Sequence, residues 1–200
     1  MTDRSRAHGP WQILSSQTVY SDPWIDVRLD QVLRPDRQPG THTVTSIKPG
    51  VCVIALDAEQ QVLLTSEFHY AVGRVTLEGV SGGCEAEELP LVTAQRELQE
   101  ELGLIAERWT PLSQVDPFTA MVRSPTALFL AEELHETAAR PEGTEQIGRV
   151  RIPLATAIEK VFASEITHGP TCVALLEIWI RVTQHPDDTG ATVRSHSPGV

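Results

Sequence analysis

Between residues 82 and 104 the chain gathers three like charges on one side of a single predicted helix. Glu97, Glu100 and Glu101 stand at i, i+3 and i+4, so their carboxylates lie side by side once the segment coils. Leu91, Ala94, Leu98 and Leu102 recur at the 3/4 spacing of an apolar stripe. One face must therefore be buried while the acids project beside it. Pro90 suits the first helical turn, where a missing N–H costs nothing, and Gly103 suits the left-handed stop. The pattern predicts a helix over Glu88 to Leu102. Like charges at this spacing repel by about 0.2–0.5 kcal/mol per pair. A hard divalent cation converts that repulsion into binding, because Mg²⁺ prefers oxygen ligands and is commonly held by a few carboxylates together with substrate phosphates. Taken alone, a pair of adjacent glutamates reads as a solvated helix face.

The neighbouring residues change that reading. Gly82, Glu88, Arg96, Glu97, Leu98, Glu100, Glu101, Gly103 and Leu104 satisfy G-x5-E-x7-R-E-U-x-E-E-x-G-U, where U is aliphatic, over 23 positions. Ordinary residue frequencies put a chance match in a chain of this size below about one in a million. The segment resembles the signature box of the Nudix hydrolases, and a looser resemblance runs from about Pro49 to Val182. The resemblance implies an α/β/α sandwich with a mixed sheet. It also implies that Glu97, Glu100 and Glu101 bind metal, joined by the main-chain carbonyl of Ser81. The expected metal is Mg²⁺, with Mn²⁺ as a substitute, and a carboxylate such as Glu100 can take the proton of the attacking water. Gly82 and Gly83 permit a tight loop that comes close to substrate and metal. Glu88 and Arg96 can pair to brace that loop against the helix, and Gly103 completes the structural part of the motif.

Upstream, Glu67–Arg74 and Leu77–Gly83 resemble the stretch before the box in ADP-ribose pyrophosphatases. Glu78 and Ser81 match that pattern, and Arg74 is a candidate phosphate or ribose contact, with a surface salt bridge as its bland alternative. For Glu78 the alternatives are a substrate contact and a loop brace. His69 departs from the pattern, standing where arginine is common, and Gly79-Val80 replaces an aliphatic-proline pair. Pro117, thirteen residues past Leu104, stands near where the subfamily tends to carry a proline. The subfamily also draws a further glutamate from a loop before the penultimate helix. Glu145 matches best as base or extra metal ligand, with Glu142 second. These hydrolases carry a small amino-terminal antiparallel sheet that pairs two subunits and helps form the substrate pocket, so residues 1–48 are expected to build such a layer in a homodimer. Trp11, Trp24, Phe68, Tyr70 and Phe118 are candidates to stack on a base, although each such residue is more often core.

The rest of the chain agrees with this frame. Ile25, Val27 and Leu29 alternate with polar residues, and Thr41–Ile47 is rich in β-branched residues, so both read as strands. Val51–Leu56 and Val62–Thr65 flank a DAEQ turn, as in a buried hairpin. Thr126–Ala131 and Val150–Ile152 are further strand candidates. Leu154–Ile166 reads as an amphipathic helix closed by Gly169, and Thr171–Val182 as a buried helix. The mixture implies an α/β layered domain over 49–183, with a polar, frayed tail over 184–200 and a frayed start over 1–10.

Charge and composition exclude several function classes. The formal net charge of −11 argues against a nucleic-acid partner, whose phosphates must be neutralised by Lys and Arg. No apolar run approaches the ~20 residues of a membrane span. The opening MTDRSRAHGP lacks the apolar core of a secretory signal, and three widely spaced cysteines fit a reducing compartment, so a cytoplasmic location is expected. The leading expectation is hydrolysis of ADP-ribose to AMP and ribose 5-phosphate. Other nucleotide sugars, ADP-glucose and GDP-mannose among them, are the alternative substrates, and a catalytically silent nucleotide sensor is the alternative class. The extended motifs of the family's NADH and coenzyme A hydrolases are missing.

Overall fold

The structure, a computed structural model, describes residues 5–138 and 147–184 and the backbone of 193–194. In chain order the elements begin with β1 (Arg6–His8), β2 (Trp11–Ser21), β3 (Ile25–Leu33), β4 (Pro39–Ile47), β5 (Gly50–Leu56), β6 (Gln61–His69), β7 (Arg74–Glu78) and β8 (Val80–Gly83). They continue with α1 (Pro90–Leu102), β9 (Leu104–Val115), β10 (Val122–Arg123), β11 (Thr126–Glu136), β12 (Gly148–Pro153), α2 (Leu154–Phe162), α3 (Gly169–Gln184) and β13 (Val193–Arg194). Two compact units result. One holds Met1–Pro49 with Asp116–Pro125, the other Gly50–Val115 with Thr126–Val200.

The first unit is a sheet in the order β1-β2-β3-β4-β10. β1 to β4 form an antiparallel meander, and β10 joins β4 in parallel, Val122 opposite Thr45. The segment Asp116–Pro125 thus returns to pair with the amino-terminal strands. Ile13, Val32 and the ion-paired Asp30 are its buried residues, Arg28 Nε donating to Asp30 Oδ1 at 2.9 Å.

The second unit is built around β5, whose side chains alternate between two cores. Cys52, Ile54 and Leu56 belong to a cluster with Leu64, Leu128, Ile158, Leu175 and Ile178. Val51, Val53 and Ala55 belong to another with Leu63, Leu98, Leu102, Trp109 and Phe129. A strand covered on both faces needs apolar residues at every position, hence the unbroken run. The sheet order is β12-β6-β5-β11-β9-β13, with β7 on β6 and β8 on β5. β5 and β11 are parallel and the other pairs antiparallel. α1 closes one face, α2 and α3 the other. This is the mixed-sheet α/β/α sandwich. In the DAEQ turn Asp57 Oδ1 accepts from the amides of Glu59 (3.0 Å) and Gln61 (2.9 Å), and Gln60 takes φ 58°.

Several elements differ from the sequence reading, α1, α2 and β9 most clearly. α1 starts at Pro90, not Glu88, with Leu89 as an N-cap that makes no side-chain hydrogen bond. α2 ends at Phe162 because Ser164 turns left-handed (φ 58°); Ile166 is then buried in the connection, and Gly169 opens α3 instead of closing α2. β9 carries no strand signal in the sequence: Pro111 interrupts its alternation, and its pairing with β11 shifts register between Ala127 and Phe129, where Pro111 faces Phe129. No helix among the described residues is long and apolar enough to cross a membrane.

Candidate active site

The β8 strand and the first turns of α1 bring the box residues together. β8 pairs with β5 so that Ser81 lies opposite Cys52 and Gly82 opposite Val51. α1 buries Thr93, Ala94, Leu98 and Leu102, which leaves Glu97, Glu100 and Glu101 on its half-exposed flank. A side chain at Gly82 would displace Glu97: a Cβ there would lie 1.9 Å from Glu97 Oε1 and 2.1 Å from its Cδ. The loop glycine is therefore required by the carboxylate pressed against it.

Arg96 organises the cluster. Its Nε donates to Glu88 Oε1 at 3.2 Å and its Nη2 to Glu88 Oε2 at 3.3 Å and to the Gly83 carbonyl at 3.4 Å. Its Nη1 donates to Glu97 Oε1 at 2.8 Å and to Glu100 Oε2 at 2.9 Å. All five N–H groups of the guanidinium are thereby used. Because α1 begins two residues after it, Glu88 is free to reach back, also accepting from the Glu85 amide at 3.1 Å. The Arg96 hydrogen bond holds the Glu88 carboxyl at about 2, well below the usual carboxylate range, and in return raises Arg96. Loop and helix are clasped by one side-chain pair. Gly103 ends the helix at φ 60°, its N–H donating to the Gln99 carbonyl at 3.0 Å.

A second polar group surrounds Glu78 at the end of β7. Thr76 Oγ1 donates to Glu78 Oε1 at 2.6 Å. His69 Nε2 stands 3.3 Å from the same oxygen, and His168 Nδ1 stands 3.3 Å from Oε2. Arg74, exposed at the start of β7, donates through Nη2 to Thr167 Oγ1 at 2.7 Å. His168 and Thr171 carried no signal in the sequence. They lie about ninety residues from Glu78, and only the packing of α3 on the sheet joins them. Burial pushes the Cys52 thiol up to about 11, with the charges of Glu78 and Glu101 adding to the effect.

Glu142 and Glu145 lie outside the described residues. Of the candidate aromatic residues, Trp24, Phe68, Tyr70 and Phe118 are exposed, and Trp11 packs edge-on against His42 with ring centroids 5.8 Å apart. A concavity of about 660 Å³ lies within the first unit, lined by Trp11, Arg28, His42, Met121 and Arg123 among others. Its one carboxylate, Asp30, is already paired with Arg28, so the chemistry of paired acids belongs to the α1 flank and not to this hollow.

Residues 46–169 match the NUDIX domain. The chain belongs to the NUDIX family. Residues 11–45 match the nucleoside diphosphate sugar hydrolase N-terminal domain. An ADP-ribose pyrophosphatase of Mycobacterium tuberculosis is 27% identical over 176 residues, spanning 86% of this chain and 84% of that protein. An ADP-ribose pyrophosphatase of Bacillus subtilis is 24% identical over 164 residues, 81% of this chain and 89% of that one. A solved structure described as an ADP compounds hydrolase superposes with a TM-score of 0.76 over 89% of this chain and 98% of its own, at 19% identity, a likeness of fold. The chain is a NUDIX pyrophosphohydrolase that acts on a nucleoside diphosphate derivative.

NUDIX hydrolases generally depend on a divalent metal, and the donor set suits one. Among the described residues no three carboxylate, imidazole or thiol groups close into a finished cage. The cation between Glu97 and Glu100 is the Arg96 guanidinium. Carboxylates that already gather round one positive charge, on a helix flank open to solvent, provide the hard oxygen donors a divalent ion takes.

Proposed function

We propose that this enzyme hydrolyses ADP-ribose to AMP and ribose 5-phosphate with Mg²⁺, for which Mn²⁺ can substitute, as a cytoplasmic homodimer. The observation that carries the reading is the α1 flank, where Glu97 is packed onto Gly82 and shares the Arg96 guanidinium with Glu100. The ADP-ribose pyrophosphatase relatives support the choice of substrate. In this reading Glu97, Glu100 and Glu101, with the carbonyl of Ser81, hold the metal. Bound there, a divalent ion supplies charge neutralisation for the diphosphate and acidifies water. Arg96 and Glu88 keep the glycine loop and the helix in fixed relation, so that substrate need not order them. The oxygen of water attacks one phosphorus, the bridging P–O bond to that phosphorus breaks, and the bridging oxygen leaves with the other phosphate. A carboxylate takes the water's proton; Glu100, Glu145 and Glu142 are the candidates. Gly82 and Gly83 let the diphosphate approach main chain, and Arg74 is the candidate cationic contact for it. Glu78, engaged by Thr76 and two histidines, serves as a brace.

Glu101→Gln keeps the size of the side chain and removes its charge. It is expected to lower kcat by about a thousandfold, as when several kcal/mol of transition-state stabilisation is lost, with an unchanged circular dichroism spectrum. Near wild-type turnover would remove the metal assignment. Hydrolysis of ADP-ribose, ADP-glucose, GDP-mannose, NADH and diadenosine polyphosphates with and without Mg²⁺ tests the substrate. The amino-terminal match to nucleoside diphosphate sugar hydrolases favours nucleotide sugars as the second reading, and cleavage of GDP-mannose alone would select it.

A further inference from the structure

Thr171 lies in the first turn of α3, fully buried, and three groups meet at its hydroxyl. The Gly79 amide donates to Oγ1 at 2.8 Å, His168 Nδ1 lies 2.8 Å away and Cys52 Sγ 3.6 Å away. A threonine hydroxyl has two lone pairs and one proton. With the imidazole proton on Nδ1, His168 donates to Thr171 Oγ1 and shares that one N–H with the more distant Glu78 Oε2, the hydroxyl accepts from His168 and Gly79, and its own proton goes to Cys52. With the proton on the other nitrogen, the Nδ1 lone pair would face the Glu78 carboxylate at 3.3 Å. The first assignment avoids that repulsion and the second does not.

The consequence falls on Gly79. Its N–H is held by Thr171 and its carbonyl accepts from Ser81 Oγ at 2.9 Å. A Cβ on it would come within 2.8 Å of both Ile54 Cδ1 and the Val53 carbonyl. The peptide unit is thus fixed by an amide bond, a carbonyl bond and contact with β5, immediately before the strand that carries Ser81 and Gly82. We propose that Thr171, oriented by His168 and Glu78, is a positioning residue that sets the height of β8 and so aims the Ser81 carbonyl at the metal site. The inference rests on the cation site proposed above. It explains why a hydroxyl is buried in the first turn of α3, and why Glu78 is surrounded by donors from β6, β7 and the segment before α3.

Thr171→Val preserves shape and removes the acceptor from the Gly79 amide. Thr171→Ser keeps it. Ala174→Gly, in the same helix and also buried, serves as a control for lost stability without touching Gly79. Binding of Mn²⁺ alone to the full-length protein is measured by electron paramagnetic resonance, beside kcat, KM and the urea midpoint. Thr171→Val is expected to weaken Mn²⁺ binding by about tenfold, the usual range for a residue that orients a ligand, and to lower kcat with little change in KM. Thr171→Ser is expected to restore both to within about twofold of wild type, against that same tenfold effect, and Ala174→Gly to bind Mn²⁺ as wild type does. Wild-type affinity in folded Thr171→Val overturns the proposal, as does an equal loss in Ala174→Gly. If Thr171→Val does not fold, His168→Gln replaces it, with about threefold weaker binding expected, below the range for loss of the acceptor itself; unchanged affinity again overturns it. Glu101→Gln measured in parallel separates the two levels. If it retains Mn²⁺ the cation site itself is misplaced; if it loses Mn²⁺ while Thr171→Val does not, only the positioning role falls.

Discussion

A glycine is usually justified by its backbone, but Gly82 is justified by its neighbour. The space a side chain would fill is taken by the Glu97 carboxylate, 1.9 Å from the ideal Cβ position. The obstructing atoms are the end of a flexible side chain, so Gly82→Ala should fold by letting Glu97 swing aside. Its urea midpoint should stay near wild type while kcat/KM falls by about a hundredfold, in line with the cost of a small misplacement at a reacting centre. Equal losses of stability and activity would show that the loop backbone, not Glu97, is what the glycine protects. This residue was visible in the sequence as a motif letter, and the packing supplies the reason for it. Thr171 had no such letter. A buried threonine at a helix start is indistinguishable in sequence from any β-branched core residue until its partner ninety positions away is known.

At the scale of elements, the joint between the β8–α1 loop and α1 depends on ionisation. Glu88 precedes the helix and is held at about 2 by Arg96, against an ordinary 4.5. A carboxyl lowered on folding stabilises the native state above its unfolded pKa, and that contribution disappears as pH falls through the folded value. Between pH of about 4.5 and about 2, wild type should therefore lose stability more steeply than Glu88→Gln, which never had the charge. Urea unfolding of both proteins across that range measures the difference, and parallel slopes would show that other acids dominate. The sequence showed α1 well because Pro90, the apolar period and the Gly103 stop agree, although its start was set two residues early. It showed β9 poorly because Pro111 and a register shift break the alternation that marks a strand. The apolar period continues past the true end of α2 at Phe162, because Ser164 turns left-handed without any residue type that signals it.

For the whole molecule, the change in sequence pattern near Pro49 suggests an amino-terminal β region and an α/β body, and the compact units are Met1–Pro49 with Asp116–Pro125 and Gly50–Val115 with Thr126–Val200. What could not be read was the return of Asp116–Pro125 to the first unit, since a two-residue parallel strand leaves no periodicity. The proposed pairing of subunits belongs at this scale. Tyr20 and Trp24 are exposed in the first unit, Trp24 by 70%, and aromatic residues are enriched where protein surfaces meet. Light scattering on the full chain at micromolar concentration should give about 44 kDa, twice the 22.0 kDa of one chain. A mass of 22.0 kDa at that concentration would dismiss the dimer. The splicing of β10 onto β4 also sets an order of events during synthesis. The first sheet cannot gain its last strand until Arg123 has left the ribosome, after β5 through β9 have already emerged. A fragment ending at Pro49 would leave Thr45 and Ser46 without their β10 partners, so the amino-terminal match, although contiguous in sequence, does not carry the whole of this sheet.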